Sequence, residues 1–159
     1  MCGIFAIIKN TDAPINFFFN KSIIDNCFNK GQCRGPEHSV LSVINEQIMF
    51  GFHRLAINGL DSISNQPISY DGVYLICNGE IYNYKEIYSQ LGVTPKTNSD
   101  CEAILHMYLK YGIEYTLQNL DGVFSFVLYD SNNKKGYIAR DLYGVRPLYY
   151  GIYEGYLVC

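Results

Sequence analysis

A layered α+β fold is predicted by three features of this sequence. Segments of strand character and segments of helix character are grouped, in the order strand, helix, strands, two helices, strands, and do not alternate as a doubly wound parallel sheet requires. The chain has 159 residues, which fits one domain, expected to run over residues 2–159. Apolar residues make up 48% of it, with 15 Tyr and 9 Phe, enough to bury a sizeable core.

Residues 3–8 are short, apolar and β-branched, and predict a buried first strand. A helix is expected next, carrying Phe19, Ile23, Ile24, Cys27 and Phe28 at three-to-four-residue spacing and ending at Gly31. Residues 39–44 and 47–53 read as two strands joined by an Asn45-Glu46 turn. A polar loop over 58–71 leads to a strand over 73–77. Asn83, three residues before Glu86, caps a short helix that Gly92 closes. Ser99 and Glu102 have capping-box spacing, and Gly112 ends the amphipathic run carrying Ile104, Met107, Tyr108 and Tyr111. Strands are expected over 123–129, 136–139, 148–152 and 155–158, with Asn132-Asn133 as a turn. The chain stops at Cys159 while still reading as strand, as a complete domain with an exposed edge or as part of a longer protein.

A net charge of -3 gives no electrostatic case for nucleic acid or an anionic membrane surface. The longest apolar runs, such as 4–8, fall far short of the roughly 20 residues that span a bilayer. No basic n-region and cleavage site opens the chain, so a soluble, cytoplasmic protein is expected. Cys2, Cys27, Cys33, Cys77, Cys101 and Cys159 are widely spaced, without the paired spacing of a zinc or redox motif. Most are expected to be reduced, small buried hydrophobes. His38, His53 and His106 lack metal-ligand spacing, and structural or surface roles are expected for them.

Cys2 differs from the others by position. Removal of Met1 would leave its thiol on the same residue as a free α-amine, whose ordinary pKa of about 7.7–8.0 lies near the thiol's 8.5. One residue would then supply both a nucleophile and its general base. Cysteine also stands second in many proteins for no catalytic reason, so position alone decides nothing.

Seven segments decide more. They are MCGIF at 1–5, RGP at 34–36, FHRLAI at 52–57, QP at 66–67, NGEIYNY at 78–84 with SDCE at 99–102, and ARDLYGVRPLYY at 139–150. In order and spacing they resemble the class II, N-terminal-nucleophile glutamine amidotransferases, over essentially the whole chain. NGEIYNY with RDLYGVRPLYY is closer to the glutaminase domain of asparagine synthetases than to the phosphoribosyl- or hexosamine-directed members. Where relatives commonly carry His before RGP, this chain has Cys33.

The resemblance implies the four-layer αββα sandwich of N-terminal-nucleophile hydrolases. It implies Cys2 as nucleophile, with the Asn78 side-chain amide and the Gly79 N–H as an oxyanion hole. Arg54 would hold the α-carboxylate of L-glutamine by its planar fork, as guanidinium does better than ammonium. Asp100 and Glu80 would meet the substrate ammonium, and the backbone of Leu55, Ala56, Ile57 and Asn58 would add contacts. The loop around Arg34 would close over substrate. Each has an ordinary alternative: Arg54 a surface residue, Asp100 a carboxylate at a helix start, Glu80 a solvated loop residue, Asn78-Gly79 a simple turn.

The implied reaction is hydrolysis of glutamine to glutamate and ammonia through a γ-glutamyl thioester, with no metal and no organic cofactor. Ammonia is useful only if delivered, so a C-terminal or separate synthetase domain using ATP and Mg is the expected partner. No phosphate-binding glycine loop appears within this chain. Three rivals stay open: a glutaminase serving another acceptor, a non-catalytic glutamine-binding module, and an N-terminal-cysteine hydrolase of other amides.

Overall fold

The computed structural model describes residues 2–9, 21–153 and 155–159. The elements are β1 (Gly3–Lys9), α1 (Lys21–Asn29), β2 (His38–Asn45), β3 (Ile48–Arg54), β4 (Ile68–Tyr70), β5 (Val73–Ile81), α2 (Tyr84–Leu91), α3 (Glu102–Asn119), β6 (Gly122–Asp130), β7 (Lys135–Arg140), β8 (Gly151–Tyr153) and β9 (Tyr156–Val158). They form two sheets, one ordered β2-β3-β1-β9-β8 and the other β4-β5-β6-β7. Every pairing between strands is antiparallel. The grouped order of elements therefore yields an α+β fold of two antiparallel sheets flanked by helices.

Side-chain alternation along the strands sorts the core into three clusters. Ala6, Ile48, Phe50 and Phe52 of the first sheet pack with Ile76, Val127 and Tyr129 of the second. The other face of the second sheet (Leu75, Cys77, Phe124, Phe126, Leu128) packs on α2 and α3 through Ile87, Ile104, Leu105 and Tyr108. The other face of the first sheet packs on α1, where Ile24 meets Ile7 and Met49. β3 lies between β1 and β2 and is covered on both faces, so all seven of its residues are buried. Each fully buried large apolar side chain contributes about 1.5–3 kcal/mol.

Several boundaries differ from the sequence expectation. The β2–β3 turn is Glu46-Gln47, one residue later than Asn45-Glu46. Within the expected polar loop, residues 68–70 form β4 by pairing with β5. Leu148, Tyr149 and Tyr150 are not strand; β8 begins at Gly151. Phe19, expected on the first helix, lies outside the described residues. Gly92 closes α2 in the left-handed conformation, φ 65°, as a side chain with Cβ would do only at a cost. Gly112 breaks the helical geometry of α3 (φ 80°, ψ 175°), but the chain resumes helix to Asn119.

The expected capping box is absent. Cys101 occupies the position before α3, and Ser99 Oγ accepts from Cys101 N instead (3.3 Å). Glu102 is fully buried and accepts from Lys96 N (2.8 Å), Thr97 N (2.7 Å), Thr97 Oγ1 (2.6 Å) and His106 Nε2 (3.0 Å). Burial alone would raise its pKa, but these donors win and hold it at about 2. Asn83 likewise caps nothing with its side chain: it bridges Asn119 O and Asp121 N, tying α2 to the end of α3.

The six cysteines are free thiols. Only Cys77 and Cys101 are fully buried; Cys2 and Cys159 are half-buried, and Cys27 and Cys33 are exposed, against the expectation that most would be core residues. His53 is structural: Nε2 donates to Phe28 O (2.8 Å), so Nδ1 accepts from Ser39 Oγ (2.7 Å). No helix among the described residues is long and apolar enough to cross a membrane.

Candidate active site

The ends of three strands and the turn before α3 meet at one pocket. Cys2 precedes β1, Arg54 ends β3 with Leu55–Asn58 following it, Asn78, Gly79 and Glu80 lie in β5, and Asp100 stands two residues before α3. All ten residues singled out from the sequence line this pocket, a cleft open to solvent with about 480 Å³ of empty space.

Asn78-Gly79 is not a turn. β5 runs four residues beyond the expected Cys77, and the pair sits inside it, opposite Ser125 and Phe124 of β6. A Cβ on Gly79 would lie 2.4 Å from Val123 O and 2.6 Å from Phe124 Cα. Glycine is therefore demanded by the neighbouring strand.

Successive backbone N–H groups of a strand face opposite edges. Those of Cys77, Gly79 and Ile81 face away from β6. Cys77 N–H is taken by Gln66 Oε1 (2.6 Å) and Ile81 N–H by Asp100 Oδ2 (2.6 Å). Gly79 N–H lies between them, at the pocket. Gln66, buried, also donates from Nε2 to Cys77 O (3.0 Å), so its side chain acts as one more residue of strand pairing beyond β4. Among the described residues no hydrogen bond holds the Asn78 carboxamide, whose donors are left to the pocket.

The Cys2 thiol sits against the segment after β3. Leu55 N–H donates to Sγ (3.4 Å), and Sγ donates to Leu55 O (3.3 Å). Burial pushes this thiol above its ordinary value, and the Leu55 hydrogen bond offsets part of the rise. Arg34 Nε donates to Cys2 O (3.2 Å), so the 32–34 turn reaches back to the same residue. Glu37 continues the support: its N–H donates to Arg54 O (3.1 Å) and its carboxylate accepts from Ala56 N (3.1 Å).

Arg54 is a buried cation, not a surface residue. Its guanidinium donates to Asp61 O (2.9 Å), Asn65 Oδ1 (2.7 Å) and Gly59 O. The 59–65 loop wraps it because Asp61 caps a short turn, accepting from Ser64 N (3.1 Å) and Ser64 Oγ (2.6 Å), while Asn98 closes on the other carboxylate oxygen. Three of five N–H groups thus fix the fork in place. Asp100 is also buried, and burial raises its pKa, against hydrogen bonds from Ile81 N–H and the Asn58 side chain that lower it; the Glu80 charge raises it further. Two carboxylates and a fixed guanidinium in one pocket form a site with opposite charges at separate positions.

Arg146 also lines the pocket and was not singled out from the sequence, although it lies in the quoted 139–150 run. Its Nη2 donates to Glu80 Oε1 (3.4 Å). Asp141 delivers it: this buried carboxylate accepts from Val145 N (2.9 Å), Arg146 N (3.0 Å) and Phe124 N (3.2 Å). Burial opposes the charge, but the backbone donors outweigh it and hold the Asp141 pKa low. The signal for Arg146 was the Asp-x-x-Gly-x-Arg spacing, which lets one carboxylate gather the following N–H groups. No group of three or more His, Cys, Asp or Glu among the described residues is placed to hold a metal ion.

Comparison with known proteins agrees with this geometry. Residues 1–159 match the family model described as a glutamine amidotransferase domain. The chain is 39% identical over 155 residues to a probable glutamine-hydrolysing asparagine synthetase of Acanthamoeba polyphaga mimivirus, covering 95% of this chain and 28% of the viral protein. It is 41% identical over 169 aligned positions to the glutamine-hydrolysing asparagine synthetase of Homo sapiens, covering 100% of this chain and 28% of the human one. For the Gallus gallus protein the figures are 40% over 157 residues, 94% and 26%. The chain therefore spans little more than a quarter of the length of these relatives.

Proposed function

The chain belongs to the glutamine amidotransferase domain family, and from that premise we propose that it hydrolyses L-glutamine at Cys2 and supplies ammonia for asparagine synthesis from aspartate. The observation that carries this reading is the company kept by Cys2. Its thiol shares one pocket with a fixed guanidinium and two carboxylates, the complement of an amino-acid head group. Arg54 takes the α-carboxylate, Asp100 and Glu80 take the ammonium, and Leu55–Asn58 line the side chain. The amide carbon is then presented to Sγ, with the Asn78 amide and Gly79 N–H at its oxygen.

A buried thiol with a raised pKa is mostly protonated at neutral pH and needs a base. Removal of Met1 supplies it as the Cys2 α-amine. Sulfur attacks the carboxamide carbon as the amine takes the thiol proton. The tetrahedral oxyanion collapses, the C–N bond breaks, and the proton passes to the departing ammonia. Water then hydrolyses the thioester to glutamate. The fold we assign is the four-layer αββα sandwich of N-terminal-nucleophile hydrolases, consistent with the three core clusters. The turn at Gln32–Arg34 is the segment that closes on substrate.

A C-terminal or separate ATP-dependent synthetase domain, in the cytoplasm, is the proposed recipient of the ammonia. The segment 142–153 fits its docking: Leu142, Tyr143 and Tyr149 are 88%, 87% and 82% exposed, with Tyr150 and Ile152 beside them. Large exposed apolar side chains gathered in one segment are what a docking surface would need.

Intact mass before and after 6-diazo-5-oxo-L-norleucine tests the reading. Loss of Met1 and a single adduct on Cys2 are expected, with glutamine protecting. A processed chain that never labels would mean a non-catalytic module.

The pH dependence has a definite sign. A proton on Asp100 competes with the substrate ammonium, so KM for glutamine is expected to rise as pH falls through the raised Asp100 pKa. The same shift means that the native state binds this proton more tightly than the unfolded chain. Its contribution to stability therefore declines as pH rises from the ordinary carboxylate value through the raised one. Asp100→Asn should raise KM by roughly 10- to 100-fold and flatten its acid limb. An unchanged limb would remove Asp100 from substrate binding.

A further inference from the structure

Cys2 and Asn78 form a wall between two cavities. Behind the pocket described above lies a second, of about 870 Å³, which both residues also line together with Ile4, Phe28, Leu148 and Ser125. Ser125 is wholly buried, and its Oγ has no hydrogen-bond partner among the described residues. A buried hydroxyl without a partner is rare in a folded protein and calls for an account.

Its placement follows from strand alternation. Phe124, Phe126 and Leu128 of β6 face the helices, while Val127 and Tyr129 face the other sheet. Ser125 shares the second face, directly opposite Asn78 in the β5–β6 register. Directly opposed side chains have Cβ atoms about 4.5–5.5 Å apart. The orphaned hydroxyl therefore stands beside the carboxamide proposed to hold the oxyanion, in a cavity that reaches the nucleophile from the side away from the head-group residues Arg54, Glu80 and Asp100, none of which lines it.

We propose that Ser125 is a positioning residue for deacylation: its hydroxyl holds the water that hydrolyses the γ-glutamyl thioester, drawn from the second cavity. This rests on the glutaminase reading. The water oxygen bonds to the thioester carbon while its proton moves to the Cys2 α-amine. The C–S bond then breaks, and sulfur recovers that proton as the thiol. Ser125 is unchanged; it accepts from and donates to the water, whose attack would otherwise require ordering a molecule in a largely apolar chamber. The acylation step, in which glutamine arrives from the first pocket, does not use it.

Ser125→Ala in the Met1-processed chain tests this. Steady-state glutamine turnover should fall about tenfold, while labelling of Cys2 by 6-diazo-5-oxo-L-norleucine stays within about twofold of the parent rate. Intact mass during turnover should show a glutamyl adduct accumulating, hydroxylamine should restore flux as the hydroxamate, and Ser125→Thr should restore hydrolysis. Should the Ala variant fold poorly, Ser125→Gly carries the same expectations. Turnover within about twofold of the parent and no adduct would overturn the assignment and leave the glutaminase reading intact. A folded variant in which labelling falls with turnover would also overturn it, since the hydroxyl would then serve acylation. A parent chain that neither labels nor releases ammonia would overturn both.

Discussion

Cys2→Ala is expected to bring glutamine hydrolysis down to the uncatalysed background, a loss of at least about 10⁴-fold in kcat. The substitution is a clean one. Initiator Met is removed before Ala as it is before Cys, so the variant keeps its α-amine and loses only the sulfur. Without the sulfur no thioester forms, and the amine alone is a base with no nucleophile to activate. Binding is predicted to survive, because Arg54 and Asp100 are held by the 59–65 loop and by Ile81 N–H, not by the thiol. Glutamine titrated calorimetrically against the variant should therefore bind within about threefold of the parent KM. Turnover above a tenth of the parent rate in a variant verified by mass would mean that Cys2 is not the nucleophile.

Asn78→Ala should cost about 10²–10³-fold in kcat, equivalent to about 2.7–4 kcal/mol of transition-state stabilisation, with little change in KM. The selectivity for kcat follows from where the carboxamide stands. No hydrogen bond among the described residues occupies it, it faces the wall shared with Cys2, and negative charge reaches the amide oxygen only once sulfur attacks. The backbone donor of Gly79 remains in the variant, so activity is reduced but not abolished. Steady-state kinetics decide the matter. A rise in KM with unchanged kcat would place Asn78 in ground-state binding and leave the oxyanion with one donor.

Much of the fold was legible because its signals are local. The apolar runs that become β1, β3 and β6 and the glycine at the end of α2 are properties of short windows. The misses share a cause in partners that the local pattern does not name. Asn-Gly ordinarily makes a turn, but here β6 backbone lies so close to Gly79 that only glycine lets β5 continue. Glu102 has the spacing of a capping box, yet Lys96, Thr97 and His106 claim its carboxylate. β4 has three residues and becomes a strand only because β5 is there to pair with. At the site, the individual residues were singled out through their motifs and fall around one pocket. What no window could reveal was how they are held: the loop around Arg54 and the Gln66 amide on Cys77.

Beyond the short β4, which pairs only with residues 73–75, the free edge of β5 is finished in an unusual manner. On that edge the backbone ladder gives way to side chains, Gln66 at Cys77 and Asp100 at Ile81, with the Cys101 thiol on the Gly79 carbonyl and the Gly79 N–H left open among the described residues. An open rung on a sheet edge is normally a hazard, because any extended chain with a free carbonyl can complete it. Here Gln66 and Asp100 already take the N–H groups on either side, so the edge has one donor left to offer. On the proposed reading the glutamine carbonyl would stand there as a strand one residue long, and the incomplete sheet would offer its donor to an oxygen that gains charge.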